Sequence, residues 1–220
     1  GSFTGKSMSR GGSEGRDVAT GRGGVITLIE LLKARGLAKK PLTVALQGFG
    51  NVGYFFAKLL KAYPNLTLIA IANSKHTWVR TDGIDVEHII PGVEGVPRPE
   101  GLSDLRGVTP EPSTVITGIK ADILVLAALE DAVVQANAAD VKAGIVVELA
   151  NGPVTKTAEA LLTQKGITIL PDIIANAGGV IVSYLEWQQN LANEQWPEET
   201  VNRKLAETLI PATQAMLERA

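Results

Sequence analysis

The sequence has 220 residues, 45% of them hydrophobic, and a formal net charge of −2 at pH 7, which suits one large domain with its own core. This charge gives the chain no overall basic field that would attract nucleic acid. The absence of cysteine excludes disulfides and thiolate catalysis, and no apolar run approaches the roughly 18–20 residues that cross a membrane. We therefore expect a globular cytoplasmic domain, since a chain without cysteine fits a reducing compartment.

The first part of the chain is polar and glycine-rich. Residues 1–19 contain little that could pack, and we predict a linker or hinge there, within a single domain that spans residues 1–220. Thr20 is predicted to cap a helix over residues 21–35, which buries one broad apolar face and is closed by Gly36.

A glycine-rich turn between a predicted strand, residues 43–47, and a predicted helix, residues 51–62, is the central motif. Gly48, Gly50 and Gly53 have the GxGxxG spacing that, between a strand and a helix, is typical of dinucleotide binding. The first glycine allows the tight turn, the second lets the backbone approach a pyrophosphate, and the third lets the helix pack close to the strand. N–H groups at the helix start then hold the phosphate charge. The alternative is a tight turn without a ligand.

The end of the second predicted strand bears on cofactor choice. That strand, Leu66–Ala72, is an uninterrupted apolar run, as expected of a parallel strand covered on both faces. Asn73 follows Gly53 by about 20 positions, where an NAD site usually carries Asp or Glu. Without that carboxylate, and with Lys75 and His76 nearby, the sequence favours NADP over NAD. The alternative is that these basic residues belong to a solvated turn.

The remaining chain alternates strands with helices. Residues 77–118 are proline-rich and less regular; we predict an edge hairpin over 77–82 and a short helix over 85–90, without chemistry or metal-ligand spacing. Further strands are predicted over residues 122–127, 145–149 and 167–170, and helices over 135–141, 155–165, 180–191 and 198–219.

This alternation predicts an α/β, Rossmann-like, doubly wound and mainly parallel sheet with flanking helices, followed by a C-terminal helical segment over residues 174–220. Ligands of such sheets lie at the carboxyl ends of the strands. The glycine turn, Asn73, Ala127 and Asn151 all follow predicted strands, so we expect them to converge on one edge of the sheet.

Four segments resemble one family of enzymes. They are residues 15–23 (GRDVATGRG), 47–53 (QGFGNVG), 148–155 (ELANGPVT) and 176–190 (NAGGVIVSYLEWQQN). With them the chain resembles the cofactor-binding domain of the glutamate dehydrogenases, within the glutamate/leucine/phenylalanine/valine dehydrogenase family. The resemblance implies NAD(P)-dependent oxidative deamination of L-glutamate to 2-oxoglutarate and ammonium.

The resemblance also implies roles for individual residues, none of them catalytic and none a metal ligand. The glycine turn, including Val52, would hold the cofactor together with Thr20 and Asn51 near the nicotinamide carboxamide. Asn73 and Ser74 would meet the adenosine ribose, next to Lys75, and Ala127, Ala128, Asn151 and Asn176 would line the nicotinamide ribose. The substrate, glutamate or 2-oxoglutarate, would lie near Arg16, Val180 and Ser183.

The family's substrate domain, which precedes this domain and supplies the lysines and the aspartate of the reaction, has no counterpart in the sequence. We therefore expect the chain to bind NADP or NAD but not to turn over alone, and to form hexamers only in the full-length protein. If the last helix normally packs on the substrate domain, Leu205, Leu209 and Met216 should be partly exposed. Two alternatives stay open: a leucine-, valine- or phenylalanine-type dehydrogenase domain, and a non-catalytic nucleotide-binding regulatory module.

Overall fold

A computed structural model describes residues 4–87 and 108–219, and within them one sheet of seven strands. The strands are β1 (Leu42–Gln47), β2 (Leu66–Ala72), β3 (His76–Val79), β4 (Glu111–Pro112), β5 (Ile123–Leu126), β6 (Ile145–Glu148) and β7 (Thr168–Leu170). The helices are α1 (Arg16–Ala34), α2 (Asn51–Leu60), α3 (Lys156–Gln164), α4 (Asp172–Ala175), α5 (Ala177–Ala192) and α6 (Glu198–Leu217). Short 3-10 helices cover Met8–Arg10, Ser113–Gly118 and Ala138–Asp140.

The sheet is doubly wound, as the sequence predicts. Its strand order is β4-β3-β2-β1-β5-β6-β7. The five strands β2, β1, β5, β6 and β7 are parallel to one another. The chain leaves β1 toward β2 and later returns to place β5 on the other side of β1. The carboxyl ends of β1 and β5 therefore form the topological switch point, where ligands of such folds bind.

Alternate strand residues pack into different layers of core. Val44 and Leu46 face the layer formed with α1 and α2, whereas Ala45 faces the layer that includes Leu162 of α3. Burial on both faces explains why these strands read as unbroken apolar runs. A third cluster joins Ala19 of α1 to α5 and α6, so the C-terminal helices are anchored on the first helix.

Several predicted elements need correction. Helix α1 begins at Arg16 with Gly15 as its N-cap, in a left-handed conformation with φ 72°; Thr20 lies inside the helix and does not cap it. The predicted helix over residues 135–141 is limited to the 3-10 turn Ala138–Asp140. Residues 85–87 are not helical, and residues 88–90 of that predicted helix lie outside the described residues.

The predicted edge hairpin has different partners. Strand β3 pairs antiparallel with β2 and with β4, so the turn of the hairpin lies just after β2 and not within residues 77–82. The predicted helix over residues 180–191 begins earlier, at Ala177.

The last helix is more buried than expected. Leu205 and Leu209 are fully buried against α1 and α5, and Met216 is partly buried, so the expected exposed face of α6 is wrong for the first two residues. Helix α5 instead carries a row of exposed apolar side chains, Val180, Tyr184, Trp187 and Leu191, along one helical face. No helix in the described ranges has the length and hydropathy to span a bilayer.

Residues 4–15 lie along α5 and make specific contacts there. The carboxylate of Glu186, whose side chain is fully buried, accepts hydrogen bonds from the backbone N–H of Gly5 and Lys6. Gln189 donates to the hydroxyl of Ser13 at 2.9 Å, and Asn190 donates to a backbone carbonyl of the same segment. We call residues 4–15 the N-terminal segment.

Candidate functional site

A groove crosses the switch point of the sheet and consists of two adjoining depressions. Their volumes are about 630 Å³ and about 590 Å³, each within the usual range of roughly 300–1,000 Å³ for a small-molecule site. The two share Ala127, Ala128, Leu129 and Glu130, the residues that follow β5. An elongated groove with two lobes suits a ligand with two linked halves.

The glycine turn forms the wall between β1 and α2. Gly48 has φ +92°, and a Cβ atom there would lie 2.7 Å from backbone atoms of Ala127 and Ala128, so the ends of β1 and β5 can approach only because position 48 is glycine. A Cβ atom at Gly53 would overlap the carbonyl oxygen of Gly48. The tight strand–helix packing expected of the motif is therefore present.

Gly50 differs from these two glycines because nothing fills the space beside it. A Cβ atom at Gly50 would meet no atom within 4 Å, and as N-cap of α2 the residue offers no side-chain hydrogen bond to the helix start. The first N–H groups of a helix attract anions. This opening at the start of α2 fits the pyrophosphate of a dinucleotide.

The first depression lies between the ends of β1, β2 and β5. Asn73 and Ser74 line it, and the side-chain oxygen of Asn73 accepts hydrogen bonds from the N–H of Lys75 and of His76, both at 2.8 Å. Asn73 thereby fixes the turn between β2 and β3. Lys75 lies in this turn but does not line the depression.

The second depression is lined by Thr20, Val52, Asn151, Asn176 and Val180. The amide of Asn176 donates to the side-chain oxygen of Asn151 at 2.7 Å, which ties the start of α5 to the loop after β6. The backbone of α1 approaches α5 closely here, and a Cβ atom at Gly179 would lie 2.6 Å from the hydroxyl oxygen of Thr20. Two amides and a hydroxyl therefore occupy fixed positions at this end of the groove.

Two acidic side chains lie beneath this second depression. Glu148 ends β6 and accepts a hydrogen bond from the N–H of Asp172 at 3.0 Å, while Asp172 accepts one from the N–H of Gly152. Burial, together with the charges of Asp172 and Glu159, raises the pKa of Glu148 above its ordinary value, although hydrogen bonds from the backbone oppose the rise. Glu148 does not line the groove, so it supports the loop rather than meeting a ligand.

Four predicted site residues have other contacts. Arg16 pairs with the buried Glu186 at 2.7 Å, and the hydroxyl of Ser183 donates to the carbonyl of Gly179 at 2.9 Å; neither residue lines the groove. Asn51 donates to the backbone carbonyl of Asp17 at 2.7 Å, joining the starts of α2 and α1, and Gly53 is inside α2. Their predicted roles in binding stay predictions.

The groove also contains residues that the sequence did not single out. They include the polar residues Gln47, Ser113, Thr114, Thr117, Glu130, Asp131 and Asn137, and the apolar residue Leu129. Ser113 and Thr114 follow β4, at the end of the proline-rich stretch to which we assigned no chemistry, and the N–H of Ser113 donates to the carbonyl of Lys75. The pairing of β3 with β4 brings this stretch to the groove. No local sequence pattern predicts that pairing.

The chemistry available in the groove is that of a binding site. Backbone N–H groups, amides and hydroxyls line it, together with the carboxylates of Glu130 and Asp131. Across residues 4–87 and 108–219 no cluster of three His, Cys, Asp or Glu side chains could hold a metal ion. Such a lining can orient a polyanionic ligand and its sugars.

Comparison with known proteins identifies related sequences. Residues 11–220 match the family model of the glutamate/leucine/phenylalanine/valine dehydrogenases. The chain is 41% identical over 218 residues to the NADP-specific glutamate dehydrogenase A1 of Halobacterium salinarum, covering 98% of this chain and 51% of that protein. It is 37% identical over 220 residues to the NAD-specific glutamate dehydrogenase of Staphylococcus aureus, covering 99% and 51%.

Solved structures show the same likeness. The hetero-hexameric glutamate dehydrogenase of Thermus thermophilus, in a leucine-bound form, superposes with a TM-score of 0.82 at 33% identity, over 96% of this chain and 49% of that one. The Plasmodium falciparum glutamate dehydrogenase gives a TM-score of 0.84 at 27% identity, over 94% and 46%. The chain thus spans about half the length of the curated relatives it matches.

Proposed function

Because the chain belongs to the glutamate/leucine/phenylalanine/valine dehydrogenase family, we propose that it is the part of a glutamate dehydrogenase that binds the nicotinamide cofactor. The observation that supports this most is the open space beside Gly50 at the start of α2, next to the close approach of β1 and β5. The pyrophosphate would lie there, the adenosine toward Asn73 and Ser74, and the nicotinamide toward Asn151 and Asn176. When bound, the cofactor supplies hydride transfer with the α-carbon of L-glutamate.

The residues of this chain orient the cofactor and one side of the substrate. The hydrogen-bonded pair Asn176–Asn151 would present its amide groups to the nicotinamide ribose, and Thr20 and Ala127 line the same depression. Val180 lines the same depression and is mostly exposed, as a residue facing a substrate across a cleft would be. To donate to a substrate carboxylate, Ser183 would have to turn its hydroxyl away from Gly179.

NADP is the proposed cofactor, although named relatives include NADP-specific and NAD-specific enzymes. The support is local: no carboxylate ends β2, and Asn73 uses its side-chain oxygen to hold the turn that carries Lys75. An NAD site usually places a carboxylate there to bind the ribose hydroxyls, and this would repel a 2′-phosphate.

Substrate and assembly follow from the family. We propose that a second domain, corresponding to the half of the relatives that this chain does not cover, supplies the lysines and aspartate of the reaction. The predicted linker over residues 1–19 must end before Arg16, since residues 16–19 belong to α1. We also propose that the residues before α1 connect the domains and that the full-length protein is a hexamer. The second candidate substrate class is an apolar amino acid; activity of the full-length protein with leucine but not glutamate would favour it.

The decisive experiment is a calorimetric titration of the purified chain with NADP⁺ and then NAD⁺, in the wild type and in Gly50→Ala. The added methyl group meets nothing in the fold and the backbone at position 50 is not left-handed. The variant should therefore melt like the wild type but bind the cofactor at least about tenfold more weakly, a loss of about 1.4 kcal/mol.

The matched control is Gly144→Ala, at the other edge of the sheet, where the nearest atom to a new Cβ lies at an ordinary 3.8 Å. It should bind as the wild type does. Absence of binding to either cofactor, or equal affinity of the Gly50 variant and the wild type, would contradict the proposal. The alternative, a regulatory module without catalysis, would be favoured if the full-length protein bound the cofactor but had no dehydrogenase activity.

A further inference from the structure

A second cleft lies at the edge of the sheet opposite the cofactor groove. Its volume is about 610 Å³, again within the range of small-molecule sites. It lies where β1, β5, β6 and β7 begin, and its lining includes the apolar residues Leu37, Leu42, Ala121 and Ile145. No residue of this cleft lines the cofactor groove.

Three cations line this cleft against one carboxylate. Arg35, Lys120 and Lys142 are exposed, and across residues 4–87 and 108–219 their side chains form no ion pair or hydrogen bond. The carboxylate, Asp122, is already engaged: one of its oxygens accepts hydrogen bonds from both the N–H and the hydroxyl of Thr43, at 2.7 and 2.6 Å. Asp122 keeps its negative charge, but it pairs with none of the three cations, so positive charge outnumbers negative charge in the lining of the cleft.

Lysines recur along the edge of the sheet at which the parallel strands begin. A lysine stands two or three positions before each of four adjacent parallel strands: Lys40 before β1, Lys120 before β5, Lys142 before β6 and Lys165 before β7. Lys165 is used internally, since its ammonium donates to the carbonyls of Ala139 and Val141. Lys120 and Lys142 have no such partners.

The position of Arg35 has a simpler explanation, because it ends α1, where a cation complements the helix dipole. The dipole of α1 does not account for Lys120 and Lys142, which precede strands. Clefts that gather one sign of charge over an apolar floor concentrate counter-ions of the opposite sign. We propose that this cleft binds a small multivalent anion, such as a compound with two phosphate groups, between Arg35, Lys120 and Lys142.

The test is a calorimetric titration of the purified chain with inorganic pyrophosphate at fixed, low ionic strength. The double variant Lys120→Gln/Lys142→Gln should bind about tenfold more weakly, since each exposed charge contact contributes modestly. Lys39→Gln, a single charge removal in the turn before β1 and outside the cleft lining, should bind within about twofold of the wild type. Each single variant, Lys120→Gln and Lys142→Gln, should lose more affinity than Lys39→Gln.

Pyrophosphate could also enter the proposed cofactor groove, so the titration is repeated with saturating NADP⁺. Binding that persists and stays sensitive to Lys120 and Lys142 supports the cleft. Three results would overturn it: no binding, equally strong binding to the double variant Lys120→Gln/Lys142→Gln, or an equal loss in Lys39→Gln, which would indicate general attraction of anions. Failure of NADP⁺ to bind contradicts the proposed cofactor site alone, whereas the cleft is judged by how pyrophosphate binding depends on Lys120 and Lys142.

Discussion

Asn73 shows how one side chain can serve the fold and bear on cofactor choice. Its oxygen accepts two backbone hydrogen bonds across the turn between β2 and β3. An aspartate can accept the same two bonds, so Asn73→Asp changes charge with little change of shape. We predict that this variant binds NADP⁺ about tenfold more weakly relative to NAD⁺, because a carboxylate repels the 2′-phosphate.

Calorimetric titration with both cofactors measures this shift. The control is Gln164→Glu, which adds the same charge at an exposed position ending α3, and it should leave the ratio of the two affinities unchanged. An equal loss of affinity for NADP⁺ and NAD⁺ in the aspartate variant would show that Asn73 does not face the adenosine ribose.

Glu148 is the second residue whose environment gives a measurable consequence. Burial raises its pKa in the folded protein, so the folded state holds this proton to higher pH than the unfolded chain does. Stability then falls as the pH rises from about 4.5 through the raised pKa, because only the unfolded chain ionises freely there. At neutral pH the buried carboxylate lowers the free energy of unfolding.

We predict that Glu148→Gln unfolds at higher urea concentration than the wild type near pH 7, and that this advantage shrinks below about pH 4. The amide oxygen can still accept the hydrogen bond from Asp172. Glu111→Gln, the same charge change at an exposed position, should show no comparable gain. A wild type that is more stable than Glu148→Gln near pH 7 would mean that the carboxylate contributes a net favourable interaction.

At the scale of elements, the strands were the most predictable feature. Residues 66–72 and 145–148 are buried on both faces of the sheet. An unbroken apolar run is typical of such a strand, so the sequence predicts it without knowledge of the fold. The start of α1 was missed because its N-cap is a glycine in a left-handed conformation, while Thr20 has the side chain of a typical cap. The contribution of Ser113 and Thr114 to the groove was also missed, since it depends on pairing between β3 and β4 across a long stretch of chain.

The contacts of the N-terminal segment could not be predicted from the sequence either, because they join residues that are far apart in the chain. Burial alone would raise the pKa of Glu186, but the backbone hydrogen bonds from Gly5 and Lys6 and the pairing with Arg16 outweigh it and lower the pKa. The stabilisation from Glu186 is therefore present above the ordinary pKa of a glutamate and is lost as the pH falls through the lowered value. The N-terminal segment, which the sequence predicts to be a linker, is thus bound to α5 by hydrogen bonds to the buried carboxylate of Glu186.

We predict that Glu186→Gln lowers the free energy of unfolding by about 2 kcal/mol, the contribution of hydrogen bonds to a charged group. It should also accelerate trypsin cleavage after Lys6 and Arg10, because both residues lie in the N-terminal segment. Mass spectrometry of timed digests measures the cleavage.

Glu207→Gln is the matched control, since it breaks an Arg–Glu contact of the same 2.7 Å length, but one in which both side chains are 59% exposed. Exposed pairs contribute little, so neither its stability nor its digestion should change much. Unchanged cleavage in Glu186→Gln would show that other contacts hold the segment.

At the scale of the whole molecule, the parallel sheet offers two different edges. The carboxyl edge carries the glycine turn and the amides of the groove, and the opposite edge carries the lysines that precede the strands. This division follows from topology: every parallel strand delivers its preceding residues to one edge and its following residues to the other. Binding at one edge therefore need not disturb the other, and the two proposed sites can be tested independently.

The distribution of titratable groups leads to the last prediction. In the second depression, Glu130 is the one titratable side chain among the described lining residues, and no lysine or arginine lines it. Oxidative deamination needs a proton acceptor and cations for the substrate carboxylates, so this chain should bind NADP⁺ yet fail to reduce it in the presence of L-glutamate. Absorbance of the reduced cofactor measures turnover, with a full-length family enzyme assayed in parallel. Sustained reduction by the purified chain would show that its own residues suffice for the reaction and would remove the need for a second domain.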